Sequence, residues 1–197
     1  YSVYCKSVAG SYSKLDAELV RNYGDYGRAD VIGVKAGTYQ FKIVPVDEEG
    51  TEMTGQAVES STFEVKAHDR AGFAHFNYSG VGAYKDDGTL KDNAKVLYVS
   101  SKTAKTVTCP VVKDNKGKDE TFTGLQTIID ARQKGYDTTP LVIRIIGLIE
   151  ANDMDHFSSS AEGLQIKGKN ANSEMNITLE GVGNDATIRG FGILLRN

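Results

Sequence analysis

At 197 residues and 40% hydrophobic content, the chain is long enough for one ordinary domain or two small ones, and a disordered or collagen-like protein is excluded. Its 23 Lys and Arg against 26 Asp and Glu leave a net charge of -3, with the signs interleaved along the chain, which argues against nucleic acid or an anionic membrane as a partner. No run approaches the roughly 18 apolar residues that span a bilayer, the longest apolar stretch lying around Ile145 to Ile149. Because the sequence starts at Tyr1 without a charged or apolar leader, any export signal is expected to have been removed or left unrecorded. Cys5 and Cys109 stand far apart, match no metal or redox spacing, and are read as two thiols rather than a pair.

The first seventy residues read as short antiparallel strands separated by turn residues. Tyr1 to Cys5 alternates with period two, and Leu15 to Val20 is an acidic segment fit for a single helical turn. A strand is expected over Arg28 to Val34, with Ala29, Val31 and Gly33 on one face. Thr38 to Val46 carries the clearest alternation: Tyr39, Phe41, Ile43 and Pro45 are expected inward, and Thr38, Gln40, Lys42 and Val44 outward. Asp47 to Gly50 is a turn, and Phe63 and Val65 mark a further strand over Ser61 to Ala67. A connector rich in Gly, Asp and aromatic residues runs from His68 to about Leu90.

Beyond it, Val96 to Val99 and Thr106 to Cys109 are expected strands. One good helix is predicted from Thr123 to Lys134, with Thr123 and Gln126 at capping-box spacing, Leu125, Ile128, Ile129 and Arg132 on one face, and Gly135 as its stop. Then come brief β-branched runs, Leu141 to Ile146, Leu164 to Lys167, Asn176 to Leu179, Ala186 to Arg189 and Ile193 to Arg196, each interrupted by Gly or Asn. Short strands bent apart in this way, with one apolar face stacking on the next coil about 4.8 Å away, spell a parallel β-solenoid. A sandwich would want hairpin turns such as Asn-Gly between strands.

The candidate sites are few. Asn152-Asp153-Met154-Asp155-His156 gathers two carboxylates and an imidazole that could offer oxygens to calcium, but it falls short of the six or more ligands required and is read as a solvated loop. Asp86-Asp87-Gly88, with Asp92 and Asn93, resembles part of a calcium loop and is read as a turn. Gly181-Val182-Gly183-Asn184-Asp185-Ala186 mimics a dinucleotide fingerprint, yet the strand-like Thr187-Ile188-Arg189 follows where a helix is needed. His68-Asp69-Arg70 with His75 lacks any nucleophile and reads as a seam in which Asp69 pairs with Arg70 and Phe73 and Phe76 pack. Tyr12, Tyr23, Tyr26 and Tyr39 are either a sugar-stacking platform or the rim of a small core. No residue stands out as catalytic, substrate-binding or metal-ligating.

In order and spacing, several segments match a known family. Leu15 to Arg21, Tyr26 to Val31, Ala36 to Tyr39 and His68 to Phe73 resemble the fibronectin-type-III-like module that precedes some polysaccharide lyase family 1 catalytic domains. Gly82 to Tyr84, Lys95 to Val99, Ile145 to Gly147, Gln165 to Lys169, Thr178 to Gly183 and Arg189 to Ile193 resemble the start of the pectate lyase β-helix. The resemblance implies an all-β chain: residues 1–77 a fibronectin-III-like β-sandwich, and residues 78–197 the start of a right-handed parallel β-helix with one capping α-helix. Such a sandwich has about seven strands and only four or five are legible, so its first strands are expected to be missing.

The resemblance further implies a secreted, calcium-dependent pectate lyase that cleaves polygalacturonate (homogalacturonan) by β-elimination. In that family, calcium stabilises the carbanion beside the uronate carboxylate and an arginine takes the proton. Those residues lie on later coils, so neither the calcium ligands nor the base is expected before Asn197, and a C-terminal continuation or separate chain is expected to complete the β-helix. The alternative is a non-catalytic protein of the same architecture that binds plant-cell-wall polysaccharide or serves as a β-helical stalk.

Overall fold

The run Leu141 to Ile146 is apolar on both faces except for Arg144, the pattern of a strand buried from both sides of a parallel sheet. In the computed structural model, which describes residues 1–68, 82–157, 163–168 and 176–196, this run opens the strand Leu141–Glu150 at the centre of a parallel sheet. The described chain is all-β in character, with many short strands and, among the described residues, one α-helix. It divides into two compact units, Tyr1–Ser79 with Lys85–Thr89, and Gly80–Tyr84 with Leu90–Asn197. No helix among the described residues is long and apolar enough to cross a membrane.

The first unit holds β1 (Ser2–Ser7), β2 (Ser13–Lys14), β3 (Val20–Asn22), β4 (Gly27–Ala29), β5 (Gly37–Val44), β6 (Val58–Glu59) and β7 (Phe63–Val65). β5 pairs antiparallel with β1, β6 and β7, β1 also pairs with β2, and β3 and β4 form a separate hairpin. The single helical turn expected near Leu15 is present as a 3-10 turn at Ala17–Leu19, N-capped by Asp16, whose side chain accepts from the Glu18 N–H at 3.0 Å. The strand expected from Arg28 to Val34 shrinks to Gly27–Ala29, because the Asp30 N–H turns back to the Leu19 carbonyl. Strand count from sequence falls short of the seven among the described residues because β2, β3 and β6 are only two or three residues long and show no alternation.

The facing of β5 also differs at its end: Ile43 is 42% exposed and Val44 only 1%. Val44 lies opposite Ser2, which is itself buried, whereas the expected inward row survives in the stack of Phe41 on Phe63 at 4.9 Å. A period-two pattern tells which residues share a face but not how far along the strand a face stays covered.

The second unit is built on β8 (Lys95–Val99), β9 (Thr108–Val112), β10 (Asp119–Thr123), helix α1 (Leu125–Arg132), β11 (Leu141–Glu150), β12 (Gly163–Lys167), β13 (Ile177–Arg189) and β14 (Gly192–Arg196). β8, β11 and β13 form one parallel sheet, and β12 and β14 pair in parallel as well. The runs read as separate strands at Asn176 and Ala186 are a single strand, β13, whose residues Gly183 to Ala186 loop out opposite Gly147, where the register jumps from Ile146 and Val182 to Leu148 and Thr187. Strand β10 escapes a sequence reading because Asp119 to Thr123 is largely exposed and polar.

The main core of this unit is an apolar cluster in which Leu125, Ile128 and Ile129 of α1 meet Leu97, Leu141, Ile143, Leu164 and Ile166 of the strands. Each such side chain withdrawn from water contributes about 1.5–3 kcal/mol. Arg132, expected on the same helix face, is buried there through an ion pair with Asp137 at 3.2 Å. The expected capping box is absent: Thr123 ends β10, and Gly124 is the N-cap with φ of 95° and no side-chain bond. The helix instead grips β12 through Gln126, whose amide accepts from the Gln165 N–H at 2.9 Å and donates to the Gln165 carbonyl at 3.0 Å. A side-chain amide thus takes the place of a neighbouring strand. Cys5 and Cys109 are buried free thiols, and burial raises both above their ordinary values.

Candidate functional site

The most concentrated polar group lies on the second face of β11. Leu141, Ile143 and Ile145 enter the main core, so Val142, Arg144 and Ile146 face the other way, where Ala83 and Tyr84 cover Val142. Arg144 sits opposite Tyr98 of β8 and Glu180 of β13, making a cross-strand row Tyr98, Arg144, Glu180. Its Nε donates to Glu180 Oε1 at 2.9 Å, and its Nη1 and Nη2 donate to the Tyr98 and Tyr84 hydroxyls at 3.2 Å each. The Tyr84 hydroxyl in turn donates to Glu180 Oε1 at 2.6 Å. Gly82, at φ of 67°, lets the segment approach closely, and the Ala83 N–H then donates to Thr178 Oγ1 at 2.9 Å.

The electrostatics hold this group in one protonation state. Burial, helped by Glu180, pushes the Tyr84 hydroxyl up to about 12. For Arg144, burial works against the cation, but the hydrogen bonds with Tyr84 and Glu180 outweigh it and raise the guanidinium above its usual value. Near neutral pH the phenol keeps its proton and the arginine keeps its charge. The arrangement can therefore orient and neutralise, and neither Tyr84 nor Arg144 can take a proton there near neutral pH.

The sequence candidates fare differently. Asp153 closes its own turn by accepting from the Glu150 N–H at 2.8 Å. Asp155 is no solvated loop residue: it supplies the missing helix cap, accepting from the Gln126 and Thr127 N–H groups at 3.0 Å and from the Thr127 hydroxyl at 2.8 Å. Burial works against its carboxylate, yet these bonds outweigh it and lower its value. His156 bridges onward, its Nδ1 3.1 Å from Asp155 and its Nε2 3.2 Å from Asp130 of α1. With both Asp155 oxygens engaged by N–H and O–H donors, the cluster does not fit calcium, which wants six to eight free oxygens. Among the described residues no group of three or more His, Cys, Asp or Glu could hold a metal ion.

Asp87 makes the expected turn, accepting from the Thr89 N–H at 3.0 Å and pairing with Lys35 at 3.0 Å. Asn93 stands at φ of 60° in the turn before β8, and Asp92 precedes it. Gly181 to Ala186 lies within β13, so no helix receives a phosphate there. His68 is exposed, whereas Asp69, Arg70, Phe73, His75 and Phe76 lie outside the described residues.

The four tyrosines do not make a single platform. Tyr39 packs toward Phe63 on one face of β5, while Tyr12 lies under Lys42 on the other. Tyr23 and Tyr26 stack at 5.1 Å in the separate β3–β4 hairpin, with Arg21 and Arg28 over the Tyr23 ring.

The Arg144 group was missed as a site, although a lone charge inside an apolar run is a readable sign of a paired, buried cation. Its partners sit 36, 46 and 60 residues away in sequence; strand register brings Glu180 and Tyr98 to it, and the segment ahead of β8 brings Tyr84. Comparison of the chain with protein-family models, with curated proteins and with solved structures finds no match.

Proposed function

We propose that this chain is the N-terminal portion of a secreted, calcium-dependent pectate lyase, with a fibronectin-III-like module over residues 1–77 and the first coils of a right-handed parallel β-helix over 78–197. The observation that supports this reading is the parallel return of the chain to two separate strand positions. β11 and β13 stack in register at one, and β12 and β14 at the other, as successive coils of a solenoid do. Helix α1 then serves as the end cap that a first coil requires. The substrate class, polygalacturonate, comes from the sequence resemblance, as does calcium, whose ligands this reading places on later coils.

The test compares these 197 residues with the same residues joined to the coils that follow them, measuring the ultraviolet absorbance of the unsaturated product with calcium in excess. The joined protein should be active and the 197 residues inactive. Activity from the 197 residues by themselves would show that the active site has been put in the wrong place.

A second reading, a non-catalytic wall-polysaccharide-binding or structural β-helix protein, is favoured by one observation: Arg144, Asp153 and Asp155 are all engaged in holding the fold. It would be upheld by polymer binding without product from the joined protein.

A further inference from the structure

One face of the first unit's main sheet carries a row that crosses four strands. Lys14 of β2 lies opposite Tyr4 of β1, Tyr4 opposite Lys42 of β5, and Lys42 opposite Glu59 of β6. Residues directly opposite one another share a face, so the row is continuous. Lys6, two residues along β1 from Tyr4, belongs to the same face. Val3 and Cys5, on the other face, are buried core.

The Lys6 and Lys42 ammonium groups lie against aromatic rings. Lys42 Nζ is 4.6 Å from the Tyr4 ring centre and 4.7 Å from that of Tyr12, and Lys6 Nζ is 4.5 Å from Tyr12. Lys14 Nζ is 5.9 Å from Tyr4 and pairs with Glu52 at 2.6 Å. Among the described residues Lys6 and Lys42 form no ion pair. A cation over a ring keeps its full charge available to an incoming anion, and the ring fixes where that charge stands. Two ammoniums ordered against rings without an ion pair, one of them across the ladder from Glu59, and a third shared with Glu52 therefore sit together on a sheet face, in a chain whose net charge is -3.

We infer that the Lys6, Lys14 and Lys42 face of the first unit binds a linear acidic polysaccharide, its carboxylates meeting the ammonium groups and its hydroxyls meeting Glu59 and the tyrosine edges. The spacing selects this partner over denser polyanions. Lys14 and Lys42 are two strands apart, roughly 10 Å, and Lys6 is displaced by roughly 7 Å along the strand. Duplex DNA presents a charge about every 1.7 Å and would also meet the repulsion of Glu52 and Glu59. A polymer whose carboxylates are separated by whole sugar rings matches the lysines and leaves room for the two glutamates. The choice of a uronate polymer as that partner rests on the proposed function; the cationic face does not.

The experiment is affinity electrophoresis of the whole chain in gels containing polygalacturonate, neutral galactan, polyglutamate or duplex DNA, with a chelator present so that calcium bridging plays no part. Polygalacturonate alone should retard the chain, less so as salt rises. Lys6→Gln with Lys42→Gln should weaken binding about tenfold or more, the loss of two charge-assisted contacts. Lys6→Arg with Lys42→Arg should keep it, and Lys102→Gln with Lys105→Gln, at exposed positions in the second unit, should leave it unchanged. Circular dichroism confirms that each variant is folded. Three results overturn the inference: no retardation by polygalacturonate, equal retardation of the glutamine variant, or equal retardation by polyglutamate or DNA, which would make the occupant an acidic peptide or nucleic acid. Lysine-dependent retardation in a protein whose joined form makes no unsaturated product would uphold the face and sink the lyase reading.

Discussion

Replacing Asp155 by Ala removes the group that ends helix α1 at its N-terminus. Three donors lose their acceptor at once: the Gln126 N–H, the Thr127 N–H and the Thr127 hydroxyl. No other side chain takes over, because the cap residue is Gly124, and it is a glycine for a reason: a Cβ there would collide with the Asp155 carboxylate. A lost cap alone costs about 0.5–2 kcal/mol, and hydrogen bonds to a charged acceptor contribute about 1.5–3 kcal/mol each, though neither set adds in full. A loss of about 3 kcal/mol is therefore expected.

With a urea dependence of about 1.5–2 kcal/mol per molar, the midpoint for the second unit should fall by about 1.5–2 M. Amide exchange at Gln126 and Thr127 reports this locally, independently of the first unit. The carboxyl is held below its unfolded value of about 3.9, so its stabilisation is complete above that pH and disappears as pH drops through the lower, folded value. Asp155→Ala should thus lose most stability near neutral pH and converge with the parent protein in acid. An unchanged midpoint, with Gln126 and Thr127 amides as protected as before, would refute the capping role.

Arg144→Met removes the cation beside Glu180 and the donor to the Tyr84 and Tyr98 hydroxyls, leaving the Glu180 carboxylate with the Tyr84 hydroxyl but no compensating charge in a largely buried site, and should cost about 3 kcal/mol in urea unfolding; an effect below about 1 kcal/mol would mean that the network contributes no net stability. Tyr84 should ionise near 12, against about 10 when unfolded, so stability should fall by roughly 2–3 kcal/mol as pH rises between those values, with Tyr84→Phe lacking that loss and phenolate absorbance following it. Gly163→Ala should separate β12 from β14, because a Cβ at Gly163 would run into the Gly192 backbone at a φ of 124°; amide exchange across Leu164 to Lys167 should accelerate while β11 keeps its protection.

Much of the secondary structure is legible because it depends on neighbours in sequence. The apolar run of β11 and the 3.6-residue spacing of Leu125, Ile128 and Ile129 are local patterns, and each lies where the pattern puts it, although the helix spans Leu125–Arg132 rather than Thr123 to Lys134 and is capped at Gln133, ahead of Gly135. The parallel pairing of the described strands between Leu141 and Arg196 accords with short, Gly-interrupted apolar runs that lack hairpin turns. The short strands of the first unit escape notice because two or three residues carry no period.

Only the tertiary structure decides which polar groups meet. Thr123 and Gln126 have the spacing of a capping box, but the chain enters α1 directly from a strand, and the cap comes from Asp155, 29 residues after Gln126. Asp153 and Asp155 look equivalent in sequence, yet one closes its own turn and the other crosses to a helix. Arg144 is bonded to Glu180, whereas Lys42 rests against the Tyr4 ring, because strand register sets Tyr98 and Glu180 beside the first and Tyr4 and Glu59 beside the second. Spacing along the chain determines which face a side chain joins. What it meets there depends on strands brought from far away in sequence, and on the burial that makes an unmatched charge too costly to leave alone.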